Sequence, residues 1–162
     1  MTKLFAVFSC LLIFSIGCKK KETTPKAVIP TMSFVADEQN VQYSGDPTGS
    51  SEFIGVGLYN YGGSATSTDY VISGGVSNTN YMFLGFVGSH PLTKDNGSNA
   101  TFTTFNFVRN GENYTCNSNC KFTLTVSADN LLSGTFSGAF YSTGNVELTV
   151  NNGIFQNVAN TQ

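Results

Sequence analysis

The sequence predicts an all-β domain: an antiparallel meander of about ten short strands, closing as a β-barrel or packing as a β-sandwich. Three observations predict it. Apolar residues recur at every second position wherever their spacing is regular. Clusters of Gly, Asn, Asp and Ser separate these runs at hairpin-sized intervals. Only 11% of the residues are charged, and no stretch beyond the first few residues reads as a helix.

Taken in order, residues 19–30 are charged, carry Pro25 and Pro30, and show no apolar period, which marks a flexible spacer. Strands are expected at residues 32–37, 39–43, 52–60 and 67–73. Gly55 and Gly57 interrupt the third of these, where the sheet must bend sharply or another backbone must come close. Residues 81–87, YMFLGFV, are apolar on both faces and should be central or covered on both sides. Phe105 and Phe107 alternate while Phe102 is out of phase, and a bulge near Thr103-Thr104 restores the register. Phe122, Leu124 and Val126 alternate with Lys121, Thr123 and Thr125 as in a half-buried strand. Phe136 and Phe140 share a face across Gly138, and Val146, Leu148 and Val150 repeat the alternation before a last strand at 154–158. Turn chemistry lies at Ser44-Gly45-Asp46-Pro47, Gly62-Gly63-Ser64, Asp95-Asn96-Gly97, Asn110-Gly111, residues 142–145 and Asn151-Asn152-Gly153.

The amino terminus sets the address. A short basic start at Met1 to Lys3 precedes thirteen mostly apolar residues, 4–16, and the small residues Ser15 and Gly17 flank Ile16 directly before Cys18. This resembles the bacterial lipoprotein signal, in which the cysteine is acylated and the peptide is cut just before it. The resemblance implies a signal peptide at 1–17, a lipidated tether at 18–30 and the all-β domain at 31–162. Ordinary cleavage without a lipid is the competing reading, since Ser15 stands where the family prefers Leu; the collar Lys19-Lys20-Lys21 favours the lipid. A spanning helix is too short here, because a bilayer core needs about 20 apolar residues.

Near the other end, Gly134-Thr135-Phe136 and Asn152-Gly153-Ile154-Phe155 resemble the ending of a group of small lipoproteins from Bacteroidetes-type bacteria. That resemblance implies an envelope β-barrel or sandwich without an assigned activity. Basic Lys19-Lys20-Lys21-Glu22 stands where such lipoproteins can carry a short acidic surface-export signal. The expected location is the bacterial cell envelope, lipid-anchored at the outer membrane.

From Val28 onward three bases, Lys94, Arg109 and Lys121, face nine acids, a net of −6. Nucleic acid is thereby excluded as a partner, since its binding needs clustered Lys and Arg. Cys10 leaves with the signal and Cys18 is consumed by lipid, so Cys116 and Cys120 remain. In an oxidising envelope this pair is expected to form a disulfide across a hairpin loop of Asn117-Ser118-Asn119. A metal site needs more ligands than this pair and the lone His90 supply.

Positive signs of catalysis are lacking. His90 sits in a turn before Pro91 beside Ser89, and adjacency alone specifies no nucleophile and base. Asp37, Glu38, Asp46, Glu52 and Asp69 read as solvating acids before they read as a glycosidase pair. Asp95-Asn96-Gly97-Ser98-Asn99 lacks the closing acid of a calcium loop and reads as a turn. No catalytic residue, metal ligand or cofactor site is therefore assigned. Eleven Phe remain after the signal and suit a β core, although in a calycin-like barrel they also line an apolar pocket. Tyr59, Tyr61, Tyr70 and Tyr81, set among Asn, Ser and Gly, have the composition of a sugar-binding surface. The expected role is non-catalytic: binding of a small apolar or glycan ligand in the barrel mouth, or a structural or protein-interaction module without one. A hollow interior would favour the first and a filled one the second.

Overall fold

The computed structural model describes residues 27–47, 52–63 and 67–161. Among these the chain forms nine strands and one short 3₁₀ turn: β1 (Thr31–Ala36), β2 (Gln39–Ser44), β3 (Ile54–Gly63), β4 (Ser67–Ser77), β5 (Asn80–Ser89), the turn Gly97–Asn99, β6 (Thr101–Arg109), β7 (Glu112–Val126), β8 (Leu131–Ser142) and β9 (Glu147–Ala159). All pairings are antiparallel, within one sheet ordered β2-β1-β9-β8-β7-β6-β5-β4-β3. The sheet curls on itself as a half-barrel, bringing Met32 of β1 against Gly74 of β4. The expected signal peptide at 1–17 and the expected tether up to Lys26, Cys18 included, lie outside the described residues.

Local chemistry explains the joints. Asn110 and Gly111 both take positive φ, 54° and 82°, as the tight two-residue hairpin between β6 and β7 requires. Asn130 and Asn145 supply left-handed residues in the turns after β7 and β8. The expected bulge is present: Gly85 pairs with Thr104 and Phe86 with Phe102, leaving Thr103 as the extra residue. Phe102 is thus turned toward Phe105, ring centroids 4.4 Å apart.

Two expected turns are strand interior instead. Asn151-Asn152-Gly153 does not separate two strands; it lies within β9, so the strands number nine. Asn152 is left-handed (φ 53°) and the pairing with β8 shifts between Phe136 and Gly138, which makes the segment a bulge. Gly153 is needed there because a Cβ would strike the Phe136 carbonyl. Likewise Asn117-Ser118-Asn119 is not a hairpin loop. Cys116 and Cys120 both belong to β7, whose pairing with β8 slips at Ser118 and again before Lys121. Val146 lies just outside β9 and is exposed, so the buried alternation begins at Leu148.

The interior is filled. Aromatic rings run in contact from Tyr43 through Phe34, Phe136, Phe105, Phe122 and Phe86 to Tyr70, neighbouring centroids lying 5.3 to 6.4 Å apart. Met32, Ile72, Met82, Leu84, Leu132, Val150 and Val158 occupy the spaces between them, all with no solvent exposure. Burying each such side chain stabilises the fold by about 1.5–3 kcal/mol. On the outside of β5, Tyr81 and Phe83 are covered by Phe53, whose ring lies 4.6 Å and 5.9 Å from theirs. This is why residues 81–87 are apolar on both faces.

Candidate functional site

The two ends and the seam of the sheet hold the groups with chemical potential. At one end the segment between β5 and β6 folds over the barrel. Leu92 plugs the interior, with 2% exposure, and Gly97 packs on Val126. Asn160 ties this plug down: its Nδ2 donates to the Leu92 carbonyl at 3.0 Å and to Asn130 Oδ1 at 2.8 Å. Asn130 Nδ2 returns a bond to the Asn160 carbonyl. Asn160 Oδ1 is buried and meets no hydrogen-bond donor among the described residues. His90 stands at the rim of this cap, exposed, after β5, and forms a cis peptide with Pro91. Its Nδ1 lies 3.0 Å from the hydroxyl of buried Tyr70, which also donates to the Ser89 carbonyl. No carboxylate is bonded to His90 among the described residues, so the geometry sets up no base and acid pair around it.

Asp95-Asn96-Gly97 is an ordinary turn. Asn96 Oδ1 accepts from Thr93 N at 2.7 Å and its Nδ2 donates to the Pro91 carbonyl, while Asp95 lies 3.7 Å from Lys94 in solvent. No cluster of three metal-ligating side chains occurs among the described residues.

The opposite end carries the acids. Asp37 and Glu38 form the β1–β2 turn, both with positive φ, 47° and 65°. Asp37 exchanges bonds with Thr149, its carboxylate accepting from Thr149 N at 3.1 Å. Arg109 donates to Gln39, drawing the end of β6 to the start of β2 across the mouth. Tyr43 lies beneath, its pKa pushed up to about 12 by burial, against the opposing pull of Arg109. Tyr114 donates to Glu112 at 2.9 Å; that bond, helped by burial, raises its pKa. Asp46 and Asp69 are exposed and lie apart from this turn in sequence, Asp46 after β2 and Asp69 on β4.

Cys116 and Cys120 are joined, as expected, with Cα atoms 6.1 Å apart. The bond staples the bulge in β7 rather than a hairpin, and Gly138 of β8 leaves the space that the Cys116 sulfur occupies. A loop this small restricts the unfolded chain by only about 2 kcal/mol, so the bridge's work is local.

The four tyrosines do not form one platform. Tyr70 is interior, Tyr81 belongs to the outer cluster with Phe53, and Tyr59 and Tyr61 lie on β3. The hollows on the surface are open grooves. One of about 300 Å³ runs over β7, β8 and β9, walled by Lys121, Ser137, Glu147 and Thr149. A second, about 320 Å³, follows the seam and is lined by Pro47, Val56, Leu58, Tyr59 and Ala159, with Asp46 at its rim.

That seam is where the two ends of the sheet meet. The chain leaving β2 touches β3 through a backbone bond, Val56 N donating to the Gly45 carbonyl at 2.7 Å. Gly55 and Gly57 permit this: a Cβ on Gly55 would lie 2.5 Å from the Asp46 carbonyl oxygen, and one on Gly57 2.5 Å from Pro47 Cγ. The close backbone read from the two glycines is the 45–47 segment. The Asn160 cap was not legible, because polar pairings between residues thirty or more apart leave no local pattern. Comparison with known protein families, with curated proteins and with solved structures finds no match to this chain.

Proposed function

We propose that the chain is a bacterial envelope lipoprotein, held at the outer membrane through Cys18, whose β domain is a non-catalytic module acting through its surface. The observation that carries the second half is the filled interior: the aromatic chain from Tyr43 to Tyr70 occupies the space a calycin-like ligand would need. Support for the anchor comes from the residues around Cys18. Two or more acyl chains, each methylene worth about 0.8 kcal/mol, hold a protein on a membrane durably where one chain does not. The β domain contributes no helix long and apolar enough to cross a membrane among its described residues.

A second reading keeps a small apolar or glycan ligand, and the seam groove beside Tyr59 favours it. Such a ligand would lie on the surface, against Pro47 and Leu58, instead of in the barrel mouth.

Metabolic labelling with a fatty acid tests the anchor. The unsubstituted chain is expected to carry label and sediment with membranes, and Cys18→Ala to lose both. A Cys18→Ala protein that stays labelled and membrane-bound would refute it.

A further inference from the structure

Two bulges meet on one short stretch of β8. Between β7 and β8, Ser118 pairs with Ala139 and Lys121 with Ser137, so Asn119 and Cys120 stand opposite Gly138 alone. Between β8 and β9, Phe136 pairs with Gly153 and Gly138 with Val150, so Asn151 and Asn152 stand opposite Ser137 alone. Each bulge turns on a left-handed asparagine, Asn119 and Asn152, both with φ 53°. The first is also closed by the Cys116–Cys120 bond. A bulge bends a sheet wherever it lies, but these two flank the same two residues, and one of them is covalently fixed. Bulges so placed re-aim the side chains beside them.

What they frame is the hollow of about 300 Å³ on the outer face of the sheet. Phe136 and Phe140 point into the core, so Ser137 and Ala139 turn outward and form the floor. Ala139 is only 8% exposed there, because walls rise on both sides of it. Asn119 and Lys121 make one wall; Glu147, Thr149 and Asn151 make the other. All five wall residues are exposed, and among the described residues their side chains form no hydrogen bond or ion pair. Thr149 and Asn151 also wall a second hollow, about 410 Å³, which reaches Asp37 and Glu38 in the β1–β2 turn. The joined trough spans β7 to β1, three strand spacings or about 14 Å. Tyr141 lies two residues beyond Ala139 on the same face, and its ring meets no other aromatic among the described residues.

The lining selects a class of ligand. Amides and hydroxyls both donate and accept, Lys121 only donates and Glu147 only accepts. The charges of Lys121 and Glu147 cancel, while Asp37 and Glu38 make the far end negative, which disfavours an anion. The floor carries nothing apolar larger than a methyl, so a greasy ligand has little to bury against. A neutral ring bearing several hydroxyls suits such a lining.

We propose that this trough binds a neutral sugar ring, one residue of a glycan chain that continues along it toward the β1–β2 turn. Lys121 donates to one hydroxyl, Glu147 accepts from another, Asn119 and Asn151 do both, and Tyr141 packs against the C–H face of the ring. The Cys116–Cys120 bond holds Asn119 in place before the sugar arrives, which lowers the ordering cost of binding. The inference rests on the surface-module reading above and deepens it by naming a site and a ligand class; the site is distinct from the seam groove and needs no lipid for its geometry.

An NMR titration of the full-length, isotope-labelled chain in a sugar-free detergent tests it, with the methyl glycosides of glucose, galactose, mannose and N-acetylglucosamine as probes. At least one is expected to shift the amides of Lys121, Ser137, Ala139 and Thr149 saturably, in the millimolar range that a single ring in an open site allows. Lys121→Ala and Glu147→Gln alter exposed side chains, should keep the folded spectrum, and should each weaken that binding about tenfold or more. Glycerol at the same concentration should give no saturable shift. A trough silent to all four glycosides, shifts confined to Val56, Leu58 and Tyr59 at the seam, an equal response to glycerol, or unchanged affinity in both variants would each overturn the proposal. Fatty-acid label on Cys18 with a silent trough refutes the sugar site alone; trough shifts in an unlabelled chain support it and refute the anchor alone.

Discussion

Phe105→Ala puts the filled interior to a quantitative test. Phe105 has no solvent exposure and touches three other rings, with centroids 4.4 Å from Phe102, 5.7 Å from Phe122 and 6.4 Å from Phe136. Truncation forfeits the burial of most of a phenylalanine, about 2 kcal/mol. In a packed interior it also leaves a void of roughly 100 Å³, which at about 24 cal/mol per Å³ adds about 2.4 kcal/mol. The sum, about 4 kcal/mol, falls inside the 3–5 kcal/mol usual for such changes. A barrel already hollow would pay only the first part. Urea unfolding followed by far-UV circular dichroism reads the difference, since the chain has no Trp to report by fluorescence. Heating should show a lowering of Tm by about 10–20 °C. The void is apolar and should stay dry and bind benzene, so benzene should raise the Tm of Phe105→Ala and leave that of the parent unchanged. A loss below about 2 kcal/mol, or a parent protein that benzene stabilises equally, would refute the packed-core argument.

The seam and the mouth give two further expectations. Gly55→Ala forces a Cβ against the Asp46 carbonyl at a φ of 86°, and should cost more than about 1 kcal/mol, whereas Gly144→Ala, with only an ordinary 3.8 Å contact, should be near neutral; equal urea midpoints for the two would show that the 45–47 segment does not press on β3. For Tyr43 the raised pKa means that the folded state holds the proton more tightly than the unfolded chain. Its contribution is therefore complete below the unfolded value of 10.0 and lost as pH rises toward about 12. Stability measured across that window should fall less steeply in Tyr43→Phe than in the parent, and identical slopes would rule out Tyr43 as a contributor.

Strand identity was legible because the forces behind it are local. Phe122, Leu124 and Val126 announce their strand by alternation, and Phe102 announces a bulge at Thr103 by breaking it. Gly55 and Gly57 foretold a close approach, though not what approaches. The same local logic misread Asn151-Asn152-Gly153 and the cysteine loop. Asparagine and glycine serve a bulge and a turn equally, and only the neighbouring strand decides which forms. Among the candidate sites, the covalent pairing of Cys116 with Cys120 was expected from their closeness together with the oxidising compartment that the signal resemblance implies, while the setting of His90 against Tyr70 was not legible.

What the residues alone determined is the all-β class, the alternation that sorts each strand's two faces, and the Cys116–Cys120 bond. These depend on neighbours within a few positions. Tertiary structure decided that the eleven phenylalanines divide between a filled interior and an outer cluster over β5, that Asn160 pins Leu92 as a plug, and that β3 meets the 45–47 segment at the seam. Each of those outcomes rests on how far a nine-stranded sheet curls, and curl is the sum of many small twists and bulges that no single stretch of sequence contains.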